Sequence, residues 1–231
     1  MAIGTRHLDS GVRALLASAA LLLLAVVAAH QLTHGFEHWT FESARRSDAA
    51  QQRLVASALV VRTSQGDHLA LWSPALSSTT TSSLAKAYLV DFIYATCPSV
   101  CQALGSEFAQ MQRQLLGAEL AGSAVKLLSL SFDLQRDGTA ELAQYAKRYG
   151  ADGSHWQVAA PLSEADNLRL LRELAVIAVP DGIGEQSGQG GYVHTGAIHL
   201  LDGSGRVQAI FDTTQWREAL AAATAWVQAT R

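Results

Sequence analysis

AYLVDFIYATCPSVCQALGSEFAQ, residues Ala87 to Gln110, decides the reading of this chain. It contains the only two cysteines, Cys97 and Cys101, with Pro98-Ser99-Val100 between them. The segment before them, Tyr88 to Tyr94, is apolar and rich in β-formers, as a buried strand requires. After them Val100, Leu104, Phe108 and Met111 recur at intervals of three and four, the spacing of one helical face. The cysteines therefore belong to a turn where a strand ends and a helix begins. Free N–H groups at a helix start carry partial positive charge, which favours thiolate over thiol. Thiolate is the form that attacks disulfides and binds soft metals.

The rest of the sequence narrows the setting. The chain has 231 residues, is 49% hydrophobic and carries a formal charge of -3. No basic run is present, so nothing points to nucleic acid. Two cysteines cannot form a disulfide scaffold, but they can form one disulfide or part of one metal site. Arg6 and Arg13 precede the uncharged run ALLASAALLLLAVVAA, residues 14–29, of 16 residues. That length lies between a signal sequence and a full membrane span, and the run has no polar face. It reads as an uncleaved anchor. The alternative is an export signal cut after Val27-Ala28-Ala29. Arginines before it and Glu37 and Glu42 after it put the bulk of the chain outside the cytoplasm.

The expected organisation is a cytoplasmic stretch 1–13, a transmembrane segment 14–32, a juxtamembrane linker 33–53 and a domain 54–231. From the end of the membrane segment into the linker, His30, His34 and His38 would share one helical face. They are either interfacial polar residues beside a membrane or a metal-collecting face. The domain, roughly 180 residues, is long enough for one substantial core. Leu59–Val61 and Leu69–Trp72 flank Ser64-Gln-Gly-Asp67 as a hairpin, and Ser73–Ser83 reads as a loop. Val125–Phe132 and Trp156–Ala160 read as strands, the second starting at an edge beside His155. Thr139–Tyr149 and a helix capped by Ser163 read as helices. Val176–Tyr192 is Gly-rich and reads as irregular. Ala197–Leu201 and Val207–Phe211 form a hairpin, and Thr213 or Thr214 caps a last helix. This α/β order around a strand carrying a two-cysteine turn is the thioredoxin plan, extended by an N-terminal hairpin.

Two thiolates and a neutral imidazole suit Cu(I), Zn(II) or a similar ion. Thiolates alone are too few, so a third ligand must come from elsewhere. Of eight histidines, His7, His30, His34 and His38 belong to the tail or anchor. His68 lies in a turn, His155 at an edge, and His199 inside a strand as a core residue. His194 ends the Gly-rich stretch just before a strand. In a thioredoxin-type sheet that junction packs against the cysteine turn, which makes His194 the candidate ligand.

Three motifs carry a resemblance: Thr96-Cys-Pro-Ser-Val-Cys101, Ser131-Phe-Asp-Leu-Gln-Arg-Asp137, and His194-Thr195 followed by a strand and Asp202-Gly-Ser-Gly205. With them, residues from about Leu54 to Ala229 resemble the Sco family (SCO1/SenC), membrane-anchored copper chaperones of cytochrome c oxidase assembly. The resemblance implies a thioredoxin-like fold in which Cys97, Cys101 and His194 bind one copper ion. It places Asp133 in a loop where the family has an acidic residue near the site, and a helix-approach cap is the competing role for it. It implies as partner a copper-bearing oxidase subunit, or another copper or thiol protein. Gln102 stands where members often have Pro, and Val193 where they often have Asp. The competing function is a membrane-anchored thiol–disulfide oxidoreductase that uses Cys97 and Cys101 without metal. Either function leaves the cysteines exported, and they are expected to pair as a disulfide when metal is absent.

Overall fold

The computed structural model describes residues 5–33, 35, 40–72, 81–82, 85–97, 100–117, 124–182 and 191–230. The chain divides into two units, Met1–Ser47 and Asp48–Arg231. The first contains helix α1, Thr5–Leu32, of which Gly11–Leu32 is long and apolar enough to cross a membrane. Helix α2, Phe41–Ala50, begins in the first unit and ends in the second. His30 lies in the last turn of α1. His34 and His38 fall outside the described residues.

The second unit is built on one mixed sheet. Its strands are β1 Leu59–Thr63, β2 His68–Leu71, β3 Thr81–Ser82, β4 Ala87–Ile93, β5 Val125–Ser131, β6 Trp156–Pro161, β9 Ala197–Asp202 and β10 Val207–Asp212. Two more, β7 Ala178–Pro180 and β8 Tyr192–His194, pair only with each other. The helices are α3 Val100–Leu116, α4 Thr139–Tyr149, α5 Glu164–Glu173 and α6 Trp216–Ala229. The main sheet runs β10-β9-β4-β5-β6-β1-β2-β3. Strands β4, β5 and β6 are parallel and joined by α3 and α4, while β9 returns antiparallel to β4. Helix α3 touches both α4 and α6, so the three lie side by side over the strands. This is the thioredoxin plan with an added β1–β2 hairpin.

Strand β4 is the centre. All seven of its residues are buried, as expected of a strand covered on both faces. Beneath α3, Leu104, Phe108 and Met111 are fully buried. Burying three such side chains contributes about 1.5–3 kcal/mol each, so the helix that follows the cysteines is firmly seated. Local signals behave as their chemistry requires at two helix ends. Gly150 caps α4 with φ 77°, and Ser163 caps α5 by accepting from the Asp166 amide.

Four expectations need correcting. Strand β6 is not an edge, because β1 pairs with its outer side. Thr81–Ser82 add a short strand parallel to β2 within a segment read as loop. Val176–Tyr192 is not irregular throughout, since its ends pair as β7 and β8. Without apolar alternation, three-residue strands leave no period to read. The last helix is preceded by a 3-10 turn, Thr213–Gln215, and the Asp212 amide donates to Gln215 Oε1 at 2.9 Å. Asp212 therefore caps the 3-10 turn, and α6 itself starts at Trp216 behind Gln215, two residues later than Thr213.

Candidate metal centre

The cysteine turn is braced from below. Ala95, two residues before Cys97, donates its amide to buried Asp137 at 2.8 Å, and Ser131 donates to the same carboxylate oxygen at 2.6 Å. Burial raises the Asp137 carboxyl. The Cys97 amide bonds to Tyr94 O at 3.0 Å. Across the helix start, the Cys101 amide donates to Cys97 Sγ at 3.3 Å. A backbone N–H directed at sulfur stabilises negative charge there. From α4, the Tyr145 hydroxyl donates to Cys101 O at 3.1 Å. Gly105 makes room for it, because a Cβ there would stand 2.9 Å from the hydroxyl and 2.8 Å from the Tyr149 ring.

His194 arrives on β8, where it pairs with Ala178 of β7. Its Nε2 lies 3.5 Å from Cys101 Sγ and 4.0 Å from Cys97 Sγ. The three ligand atoms all lie within 4.8 Å of one another. Among the described residues this is the one such cluster. Both cysteines are buried, and His194 is half-buried. The histidine ring rests against Tyr94 and Phe132, with centroids 5.8 and 5.2 Å away.

Two expectations change here. No disulfide joins Cys97 and Cys101 in this structure, where one was expected. The Cys101 amide and the imidazole occupy the contacts around the sulfurs instead. Nor is Cys101 a low-pKa thiol. Its contact with Cys97 and then its burial push it well up, against the helix-start effect. A sulfur held this way gives up its proton when a metal replaces it.

Asp133 is buried but does not join the cluster. It pairs with Arg136 and accepts from the Tyr192 hydroxyl at 3.5 Å. Tyr192 escaped the sequence reading, and its place two residues before His194 was the available signal. Asp91, six residues before Cys97, is fully buried opposite Ser129 of β5. Burial pushes its carboxyl up to about 7, and Ser129 offsets part of that shift. His199 is buried edge-on to Phe92, as expected of a core residue. His68 and His155 lie on β2 and before β6, and neither belongs to the cluster.

The arrangement defines a class: a thioredoxin-like domain that brings two buried thiols and one imidazole to a single point. Residues 76–229 match the SCO1/SenC family. The chain belongs to that family. It is 20% identical over 122 residues to the SCO1 protein homolog of Bacillus subtilis (strain 168), covering 53% of this chain. The match spans only 60% of that relative's length. Its fold is similar to Bradyrhizobium japonicum ScoI with copper bound, at TM-score 0.59 and 21% identity, covering 74% of this chain and 99% of that one. It is similar also to BsSco, a member of the Sco family of cytochrome c oxidase assembly proteins. There the TM-score is 0.56 at 16% identity, covering 76% of this chain and 95% of that one.

Proposed function

We propose that the protein is a copper-binding metallochaperone. It would carry one copper ion on Cys97, Cys101 and His194 and pass it to a copper-bearing subunit of cytochrome c oxidase during assembly. The observation that carries this reading is the convergence of two Sγ atoms and one Nε2 within 4.8 Å. An ion with bonds of about 2.0–2.3 Å to nitrogen and sulfur holds its ligands about 3.5–4 Å apart. The His194 contacts of 3.5 and 4.0 Å match that spacing. Two thiolates and an imidazole form a soft set that suits copper. The sulfurs come pre-positioned from one turn, and the histidine closes the site from a distant strand.

The apolar helix Gly11–Leu32 would hold the domain at a bacterial inner membrane. Arg6 and Arg13 before the apolar stretch favour a periplasmic domain. Reduced Cys97 and Cys101 would also be able to reduce a disulfide of the target to two thiols, becoming a Cys97–Cys101 disulfide in the exchange, and Asp133 would act from beside the site rather than on the ion.

The test is titration of the reduced protein with Cu(I) and with Cu(II), for the parent and for His194→Ala. One ion per chain is expected. The imidazole matters more for Cu(II), which prefers nitrogen and oxygen ligands, than for Cu(I). His194→Ala should therefore weaken Cu(II) by about 10- to 100-fold and Cu(I) by much less. Acid should weaken both states, because the ligands must lose protons. If His194→Ala retains the parent's Cu(II) affinity and Cu(II)–thiolate absorption, the ligand assignment is wrong. The metal-free oxidoreductase, which has no need of His194, then becomes the better account.

A further inference from the structure

We infer that Tyr192 and Arg136 are positioning residues that hold the histidine strand down on the sulfurs. This rests on His194 being a ligand, as proposed above. Strand β8 is three residues long and pairs with β7 alone, not with the main sheet. Its ladder hydrogen bonds therefore do not set its distance from the cysteine turn. Side-chain contacts, together with the short link from His194 to β9, do so.

Strand alternation puts Tyr192 and His194 on one face and Val193 on the other. Val193 is 66% exposed, which identifies the outer face. On the inner face both rings lie on the same two aromatic side chains. Tyr192 stands 5.1 Å from Phe132 and 5.3 Å from Tyr94, centroid to centroid. His194 stands 5.2 and 5.8 Å from the same pair. The Tyr192 amide donates to the Tyr94 hydroxyl at 3.4 Å. Its hydroxyl reaches Asp133 Oδ1 at 3.5 Å.

Arg136 covers this arrangement. Its guanidinium lies 5.3 Å from the Tyr192 ring centre and 5.9 Å from that of Tyr94, while its Nε binds Asp133 Oδ2. A cation over an aromatic face is attracted by the ring's negative centre, more strongly when partly desolvated. The loop that bears Arg136 is itself fixed. The Asp137 and Arg136 amides both bond to Asp133 O, and Asp137 is tied to Ser131 and Ala95. The cysteine turn and the clamp therefore share one support, and Tyr192 is the hairpin's attachment to it. Held there, His194 needs no further ordering when the ion arrives.

Apparent affinity scales with the fraction of molecules in the binding-competent arrangement. If Tyr192→Ala leaves the strand docked in about one molecule in ten, Cu(II) affinity falls about tenfold. Cu(I), held by the two thiolates, falls less than about threefold. Tyr192→Phe keeps the ring contacts and should behave nearly as the parent. Arg136→Gln should fall between Tyr192→Phe and Tyr192→Ala. The second measurement needs no metal: backbone amide exchange at 178, 179 and 192–195 in the metal-free protein. Exchange there should speed up in Tyr192→Ala while strands β4 and β5 keep the parent's protection.

Unchanged exchange in Tyr192→Ala would overturn the inference whatever the copper titration gives. So would equal loss of both copper states together with faster exchange in β4, since that describes general unfolding. Faster exchange confined to the hairpin supports it. If His194→Ala, run alongside, binds Cu(II) as the parent does, the ligand reading fails while the docking role stands.

Discussion

The two halves of the site are built to different standards. The cysteine turn grows from β4, the most buried strand, and passes into α3, whose apolar face is sealed under the sheet. Backbone bonds, a buried carboxylate and a tyrosine hydroxyl all converge on it. The histidine stands on a two-stranded hairpin that has Val179 and Val193 exposed on its outer face. It rests on the rest of the domain through a patch of rings, two long hydrogen bonds from Tyr192 and the guanidinium of Arg136 over its ring. On the function proposed above, the protein would hold an ion and release it, and such asymmetry would serve both. Two of the proposed ligands would stay fixed, and the third would leave at a lower free-energy cost, because weakly packed elements open locally before the core does.

The contrast can be broken most decisively at the sulfurs. Cys97→Ser or Cys101→Ser should weaken both copper states by about 100-fold or more, because a soft ligand is lost and the remaining set is harder. Titration with each oxidation state reads this directly. A cysteine variant that loses only Cu(II) would mean that the fixed and mobile halves have been assigned the wrong way round.

The next effect is on stability and depends on pH. Asp91 lies under the cysteine turn with its carboxyl raised from 3.8 to about 7 by burial. Its neutral form fits the core, so the stability this permits is complete below about pH 4. It is lost as pH rises through the folded value near 7. The shift corresponds to roughly 4 kcal/mol at most. Denaturant unfolding between pH 4 and 8 should show the parent losing stability over that range, with Asp91→Asn much flatter. Equal slopes in the two proteins would reject the assignment.

Smaller again are changes to the braces of the cysteine turn. Gly105→Ala forces the Tyr145 hydroxyl off Cys101 O, and overpacking of this kind costs about 1–3 kcal/mol. Asp137→Ala leaves the Ala95 amide and the Ser131 hydroxyl without their buried acceptor, at a cost of about 1–3 kcal/mol. Thermal unfolding measures both, and a midpoint unchanged from the parent would show that the turn does not depend on these contacts.

The smallest effect is expected on the outer face of the hairpin. Val193→Ser removes a side chain already largely in solvent and should change stability by no more than about 0.5 kcal/mol. A loss comparable to Gly105→Ala would mean the hairpin is packed as tightly as the cysteine turn, and the contrast between the halves would disappear.

Much of this was legible before folding. The strand–turn–helix around Cys97 and Cys101 is a local matter of apolar spacing and β-formers, so its elements follow from Ala87 to Gln110 alone. Caps at Ser163 and Gly150 act over a few residues and could be read in the same way. The choice of His194 needed only its place before a strand in a known plan. Tertiary structure alone decided the rest. Whether Cys101 ionises easily depends on what surrounds its sulfur, and burial beside Cys97 reverses the tendency of a helix start. Asp133 could have been a cap or a neighbour of the ion. Only the fold shows it paired with Arg136 and facing Tyr192, a residue 59 positions away. The pairing of β7 with β8 was equally hidden, because three-residue strands have no period and take their partners from the surface they settle on.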